Sequence, residues 1–307
     1  MKQEKWGIIY NYKAGIRRYT RKRWNAIREY LVERRVPFEY AVASEYGSAE
    51  ELAVRFVKRG FRTIVIVGGD GAVNDVVNGI MKSDIKDKTQ IHLGIIPNGI
   101  GNDFAAYWGI NSNYKSAVET IINGRTRKID VGHVSYFKDG ERPRRYFINA
   151  LNIGVGARIT KITDRTRRFF GVKWLSYISA LFLILFVKKL HRTHILINGE
   201  HIRGRMMNIC IGSARGYGQT PSAVPYNGWL DVTVIYHPRG MQLLKGLWLF
   251  IRGRLLNHKE VKCFRTKEVK ILRAKNAITD TDGRLFKHEF PLTVNIEHEV
   301  LSMIIPQ

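Results

Sequence analysis

The sequence predicts an α/β N-terminal domain built on a parallel sheet, followed by a C-terminal antiparallel β-sandwich domain. Three observations carry this. Apolar runs of strand length alternate with helix-like stretches over residues 1–130. After 128–134 the spacing tightens into short strands. Turn pairs such as Asn198-Gly199, Asn227-Gly228 and Asp282-Gly283 then separate many of those strands. Strands joined by helical crossovers imply a parallel sheet covered on both faces, whereas close-set strands with tight turns imply a sandwich or barrel.

The strand-like runs of the first part are Trp6–Tyr10, Phe38–Val42, Thr63–Val67 and Leu93–Ile96. Between them, Arg21–Arg34, Ser48–Lys58 and Ala72–Met81 have helical patterning. The second part offers strands at Tyr146–Asn149, Thr193–Ile197, Met207–Gly212, Leu230–Ile235, Val261–Arg265, Val269–Arg273 and Leu292–Ile296. Helical stretches at Gly171–Leu190 and Met241–Leu256 interrupt it. The expected division is 1–130 and 131–291, with 292–307 returning to the first domain.

A net charge of +25 on 307 residues marks a surface that seeks anions such as phosphorylated ligands or an anionic membrane. The two cysteines, Cys210 and Cys263, sit among strand residues, which favours buried reduced thiols over a disulfide or a zinc site. MKQEKWGIIYNYKAG carries no apolar signal core, so a cytoplasmic location is expected. The longest uncharged apolar run, Trp174–Val187, is shorter than the roughly 20 residues needed to span a bilayer.

Two loops concentrate the chemistry. Residues 65–80 read VIVGGDGAVNDVVNGI, and 93–104 read LGIIPNGIGNDF. Each is an apolar run, then a Gly-rich turn with Asp and Asn, then a helix start. That layout brings backbone N–H groups and a helix N-terminus together, a site for phosphate. A ligand-free strand-to-helix turn is the plain alternative for one such loop; a second loop with another Asn-Asp pair weakens it. In parallel sheets ligands sit at the carboxyl ends of strands, and Asn11–Gly15, Gly68–Gly71 and Asn98–Asp103 all fall there. The absence of GxxxxGKS/T excludes a P-loop NTPase, and no GxGxxG follows a strand.

With these residues in view, the chain resembles the diacylglycerol kinase catalytic family, which includes bacterial lipid kinases and sphingosine kinases. GGDGAVNDVVNG at 68–79 is similar to the family's GGDGTxNEVxNG, and LGIIPNGIGNDFA at 93–105 to its LGIIPxGTGNDFA. NYKAG at 11–15 resembles NPxAG, VPYNGWLDV at 224–232 resembles PxAxxDGxLDV, and TDGR at 281–284 stands where the family has DGE. The resemblance covers nearly the whole chain. It implies a nucleotide-binding domain, a lipid-substrate domain, and transfer of a phosphoryl group from ATP to a lipid hydroxyl with Mg²⁺. ATP would lie against Gly68, Gly69, Asp70, Gly71, Ala72, Val73 and Asn74, with Asn11, Gly15 and Ser44 nearby and Asn98, Gly99, Ile100 and Asn102 in the second loop. Asp70 would orient Mg²⁺ or accept the hydroxyl proton, and Asp103 would support it.

The departures from the pattern are equally specific. Ala72 and Ile100 replace threonines, removing hydroxyls from both loops. Asn227 replaces the aspartate of a structural Mg²⁺ site otherwise formed around Val224 and Trp229. Arg284 replaces the glutamate of DGE, the family's proton acceptor, and a guanidinium stays protonated. Either Arg284 is a phosphate clamp, with Asp282, Glu289 or Asp70 as base, or the base is gone.

Basic residues in Lys161–Lys173, at Lys188, Lys189 and Arg192, and in KGLWLFIRGR at 245–254 flank apolar helical stretches, as suits peripheral association with an anionic membrane surface. Packed helices with solvated ends are the alternative. No nucleic-acid module is evident. His191 and His194 of HRTH could share a helix face, although a polar surface pair is the simpler reading; sandwich edges leave a homodimer open. The expected activity is therefore an ATP-dependent lipid kinase acting on diacylglycerol or a sphingoid or ceramide lipid. The alternatives are an impaired pseudokinase that binds nucleotide and membrane, and an NAD kinase, which also carries GGDG but lacks the GNDF loop and the 174–187 segment.

Overall fold

The computed structural model describes residues 4–12, 17–44, 48–99, 101–159, 190–215, 219–238 and 240–307. Gly15, Ile100, the basic segment 161–173, Lys188, Lys189 and the apolar run 174–187 lie outside them, as does the helix expected over 171–190 except for Leu190. The chain packs as two compact units, Met1–Val131 with His298–Gln307, and Gly132–Glu297.

In the first unit, β1 (Trp6–Asn11), β2 (Phe38–Ala43), β3 (Thr63–Gly68) and β4 (His92–Pro97) form a parallel sheet in the order β2-β1-β3-β4. The helices α1 (Arg17–Glu33), α2 (Ser48–Lys58), α3 (Asp70–Lys82), α4 (Asp103–Tyr107) and α5 (Tyr114–Asn123) connect and follow the strands. β3 is buried at every position, as befits a central parallel strand covered on both faces. Trp24 of α1 stacks on Tyr10 of β1 with ring centroids 4.8 Å apart. α2 turns Ala49, Ala53, Phe56 and Val57 inward, and α3 is buried from Ala72 to Met81. The α2–α3 crossing is close at Gly79, where an added Cβ would come 2.3 Å from Glu50 O, so only glycine fits. The sheet gains a further parallel strand from the C-terminal end of β16 (Glu289–Ile305), Ser302 pairing with His92 and Met303 with Leu93. Buried Asp130 anchors this segment, accepting from His298 Nδ1 at 2.7 Å and from Glu299 N at 2.8 Å.

The second unit is a sandwich. One sheet is antiparallel in the order β12 (Val261–Thr266), β11 (Leu230–Ile235), β10 (Asn208–Gly212), β7 (Ala150–Gly154), β14 (Thr279–Thr281), β15 (Arg284–Phe286). The other runs from the start of β16 through β13 (Glu268–Ala274) and β8 (His191–Ile197) to β9 (Glu200–Met206). β5 (Arg125–Phe137) pairs with β16 and with β6 (Arg144–Phe147). Leu151, Ile153, Ile209, Ile211, Val232 and Val234 of the first sheet share one core with Ile195, Ile197, Val269, Ile271, Leu292 and Val294 of the second. The helix α6 (Met241–Ile251) belongs to this unit, and a helical turn over 155–159 follows β7.

Several expectations are corrected here. HRTH lies on strand β8, not on a helix, so His191 and His194, three residues apart, point to opposite faces. His191 is buried and donates from Nδ1 to Lys275 O at 2.9 Å. Cys210 is buried, and that burial pushes its thiol pKa far up. Cys263 is exposed because it occupies the outward position of β12, and both cysteines are free thiols. β9 was not anticipated: its Glu, His and Arg residues hide the alternation that marks a strand.

Candidate functional site

The geometry of the first unit begins at the carboxyl ends of its strands. Parallel register places Asn11 beside Ala43 and Gly68 beside Pro97, so the ends of β1 to β4 finish along one edge of the sheet. Asn11 closes β1, half-buried, and exposed Ser44 follows β2. Gly68 ends β3, Gly69 is the residue before α3, and Asp70 is its first residue. Asn98 N donates to Gly68 O at 2.8 Å, tying the second loop to the first.

At Gly69 and Gly99 the two loops meet backbone to backbone. A Cβ on Gly69 would lie 2.7 Å from the Gly99 Cα, and one on Gly99 would lie 2.4 Å from the Gly69 Cα. Glycine at both positions is therefore a steric requirement of the paired loops. Asn102 holds the second loop in shape: its backbone is left-handed at φ 57, its Oδ1 accepts from Gly99 N at 2.9 Å, and its Nδ2 donates to Gly99 O at 3.2 Å. Asn98 is buried, and its Nδ2 has no partner among the described residues.

Two carboxylates converge on this framework. Asp70 Oδ2 accepts from Asp103 N at 3.2 Å and Oδ1 from Phe104 N at 3.1 Å, so Asp70 caps α4 across the loop junction. A Cβ on Gly101 would be 3.2 Å from Asp70 Oδ2 and 3.3 Å from Asp103 Oδ2, which puts both carboxylates around one point. Burial, and then the charge of Asp70, raise the Asp103 pKa to about 6. Ala72, Val73 and Asn74 stand deeper: all three are buried, and the Ala72 and Val73 amides bond to Gly69 O. Asn74 receives the Asn78 amide on its own carbonyl at 2.9 Å and on Oδ1 at 3.2 Å.

The donor sets differ in their fitness for Mg²⁺. The Asp70–Asp103 pair is a hard, anionic oxygen set of the kind Mg²⁺ shares with phosphate oxygens and water. Val224, Asn227 and Trp229 do not fit the ion. Asn227 Oδ1 already accepts from Trp229 N at 3.0 Å, Val224 O accepts from Tyr226 N, and the Lys267 ammonium sits 5.1 Å from the Trp229 ring centroid. The neighbouring carboxylate, Asp231, is held by Arg265 Nε at 2.8 Å. No cluster of three His, Cys, Asp or Glu side chains suited to a metal occurs among the described residues.

Arg284 and Asp282 belong to the second unit. They lie on the β14–β15 hairpin, whose turn residues Asp282 and Gly283 have φ 46 and 77. Arg284 opens β15 opposite Thr281. Asp282 is not an available base: it is buried and its carboxylate accepts from Ile148 N at 2.8 Å, Asn149 N at 3.0 Å and Ala150 N at 2.8 Å. Glu289 is exposed at the start of β16.

A buried polar chain in the second unit escaped the sequence reading. Asn208 Nδ2 donates to Gln219 Oε1 at 2.6 Å, Gln219 Nε2 to Asn152 Oδ1 at 3.2 Å, and Asn152 Nδ2 to Asp280 Oδ1 at 3.4 Å. Its signal was present: asparagine inside the otherwise apolar strands LNIG and NICIG.

Two family profiles cover most of the chain. The profile of the diacylglycerol kinase catalytic domain matches residues 5–134, and that of the YegS C-terminal NAD kinase beta sandwich-like domain matches 149–305. A diacylglycerol kinase of Staphylococcus carnosus is 26% identical over 287 residues, covering 90% of this chain and 87% of the relative. The crystal structure of a diacylglycerol kinase from Bacillus anthracis superposes with a TM-score of 0.74 at 22% identity, covering 99% of this chain and 98% of the other. Yeast NADH kinase shares the fold more distantly, with a TM-score of 0.53 at 9% identity over 99% of this chain and 84% of its own.

Proposed function

Because the chain belongs to the diacylglycerol kinase catalytic family, we propose that it transfers the γ-phosphoryl group of ATP to the hydroxyl of a neutral lipid, diacylglycerol or a sphingoid or ceramide lipid. The observation that carries this reading is the convergence of Asp70 and Asp103 beside the Gly69–Gly99 contact. Phosphoryl transfer depends on in-line positioning and charge neutralisation more than on covalent help. The tight loop pair brings backbone close to the phosphates, and Asn98 has an amide group left to donate to one. Asp70, held by two amide donors, presents its carboxylate in a fixed orientation. Mg²⁺ bound by the two carboxylates would neutralise charge developing on the transferred group. Arg284 either clamps a phosphate or marks a missing base. The second reading, a nucleotide- and membrane-binding pseudokinase, rests on that substitution alone.

The deciding experiment incubates the purified protein with labelled ATP, Mg²⁺ and each candidate lipid in anionic vesicles. A labelled lipid product supports the kinase. ATP binding without any labelled lipid leaves the pseudokinase, and binding of neither ATP nor ADP overturns both.

Asp103 makes the site pH-dependent. Its folded pKa is raised from 3.8 to about 6, so it contributes stability that is present below about pH 4 and lost as pH rises through 6. In metal-free protein Asp103→Asn is expected to be stabilising at pH 7.5, by about 1 kcal/mol or less because the residue is exposed and solvent screens its charge, with the gain shrinking as pH falls toward 4. Mg²⁺ affinity in the presence of ATP should fall below pH 6, where Asp103 takes up a proton. Urea denaturation and metal titration across this range check both; a stability difference independent of pH would remove Asp103 from the coupled pair.

Peripheral association with an anionic membrane is part of the proposal. Among the described residues no helix is long and apolar enough to cross a membrane. On α6, Met241, Leu244 and Trp248 are 78%, 49% and 50% exposed, at spacings that place them on one face, and Arg252 lies over the Trp248 ring at 4.4 Å. An exposed apolar stripe flanked by cations suits a lipid interface. Leu244→Ser with Trp248→Ser should weaken vesicle partitioning by about 2 kcal/mol, roughly 30-fold. Unchanged co-sedimentation would remove α6 from the contact.

A further inference from the structure

The outward face of β8, β9 and β13 carries an unusual arrangement. Strand alternation sends Ile195 and Ile197 into the core and Arg192 and His194 outward. Cross-strand register then sets Arg192 opposite Arg205, and His194 opposite Arg203 on one side and Arg273 on the other. Cations directly opposite one another destabilise a sheet unless something neutralises them. Among the described residues, Arg192, Arg203, Arg205, Arg273 and Lys275 make no ion pair. The one ion pair among the described residues of these three strands, Lys270–Glu268 at 3.2 Å, is near the other end of β13. These five cations and His194 line an open depression of about 680 Å³.

We propose that this depression is a binding site for a multiply charged phosphate group, a phosphomonoester or pyrophosphate. Guanidinium groups on three adjacent strands offer planar forks that match phosphate oxygens in pairs. Their backbones belong to a hydrogen-bonded sheet whose inner face is core, so the cations are held close together before any ligand arrives. His191, buried beneath, fixes the Lys275 end through its bond to Lys275 O. The phosphate could come from solution or from a phospholipid headgroup; the chemistry of capture is the same. The inference does not rest on the kinase reading, since Asp70 and Asp103 take no part in it.

His194 is a local reporter. Its Nε2 lies 2.9 Å from His201 Nδ1 and accepts from Arg203 Nε at 3.3 Å. Burial, then Arg203 and His201, lower its pKa below the ordinary histidine value, and Arg192 and Arg273 share its face. A bound phosphate opposes those cations and should raise it.

The test is a side-chain NMR titration of His194 in the full chain, with inorganic pyrophosphate, with sodium chloride at equal ionic strength, and with phosphatidylcholine vesicles containing about one phosphatidic acid in ten lipids. Pyrophosphate or the phosphatidic acid vesicles should raise the His194 pKa where chloride does not. Arg203→Gln with Arg205→Gln should weaken that response about tenfold or more. Arg273→Gln, on a third strand, repeats the test if the double variant misfolds. A response to pyrophosphate assigns a soluble ligand, and a response to vesicles alone assigns a headgroup. No response to either, equal effects of chloride, or an undiminished response in the variants would overturn the site.

Discussion

Asp70→Asn is expected to lower lipid phosphorylation by on the order of 10²–10³-fold while leaving the fold in place. The carboxylate has two tasks that the substitution separates. As a cap, it accepts from the Asp103 and Phe104 amides. An asparagine oxygen retains part of that role, so the stability loss should be about 1 kcal/mol or less. As a charge, it stands beside Asp103 at the loop junction, where an amide cannot replace it in holding a divalent cation. Removing the charge also relieves Asp103, whose pKa should move back toward the usual carboxylate range but not fully, since burial is the larger cause of its shift. Steady-state rates with the responsive lipid, together with a thermal melt, check the separation. Full turnover in Asp70→Asn would take Asp70 out of the mechanism.

Asp282→Ala should damage the second unit more than any surface change. Three buried amides, those of Ile148, Asn149 and Ala150, lose their acceptor together, and each orphaned donor costs about 1–3 kcal/mol. The residue also sits at φ 46, where alanine is strained. A loss of about 3–5 kcal/mol is expected, lowering the melting temperature by roughly 10 °C. Asp282→Asn keeps one acceptor oxygen and tolerates the left-handed backbone, so it should lose less than half as much. Were Asp282→Ala to melt like the parent yet lose activity, the residue would be a proton acceptor and not an anchor.

The legibility of the site was uneven for physical reasons. The GGDG and PNGIGND loops could be read directly, because glycine and asparagine reach turn conformations closed to most residues, and asparagine and aspartate side chains bond to nearby backbone amides. The Gly69–Gly99 contact explains why two of those glycines must be glycines. Asp282 was misread as a candidate base because its position in TDGR says nothing of the three amides that close on it from residues 148–150. At Val224, Asn227 and Trp229 the sequence likewise says nothing of the local turn that engages Asn227 Oδ1 or of Lys267, which comes to the Trp229 ring from the link between β12 and β13. HRTH fits a helix face as well as a strand, because four residues are too few to distinguish a period of 3.6 from a period of 2.

The sequence by itself determined the fold class, the placing of phosphate-type loops at strand ends, and the departures at Ala72, Ile100, Asn227 and Arg284, since all of these follow from residue type and short-range spacing. Only the tertiary structure decided that Asp70 and Asp103 meet at one point, that burial lifts Asp103 to about 6, and that Asp282 serves the backbone. It also decided that arginines from β8, β9 and β13 line a single depression. Burial and cross-strand register depend on partners far away in the chain, so no local pattern contains them.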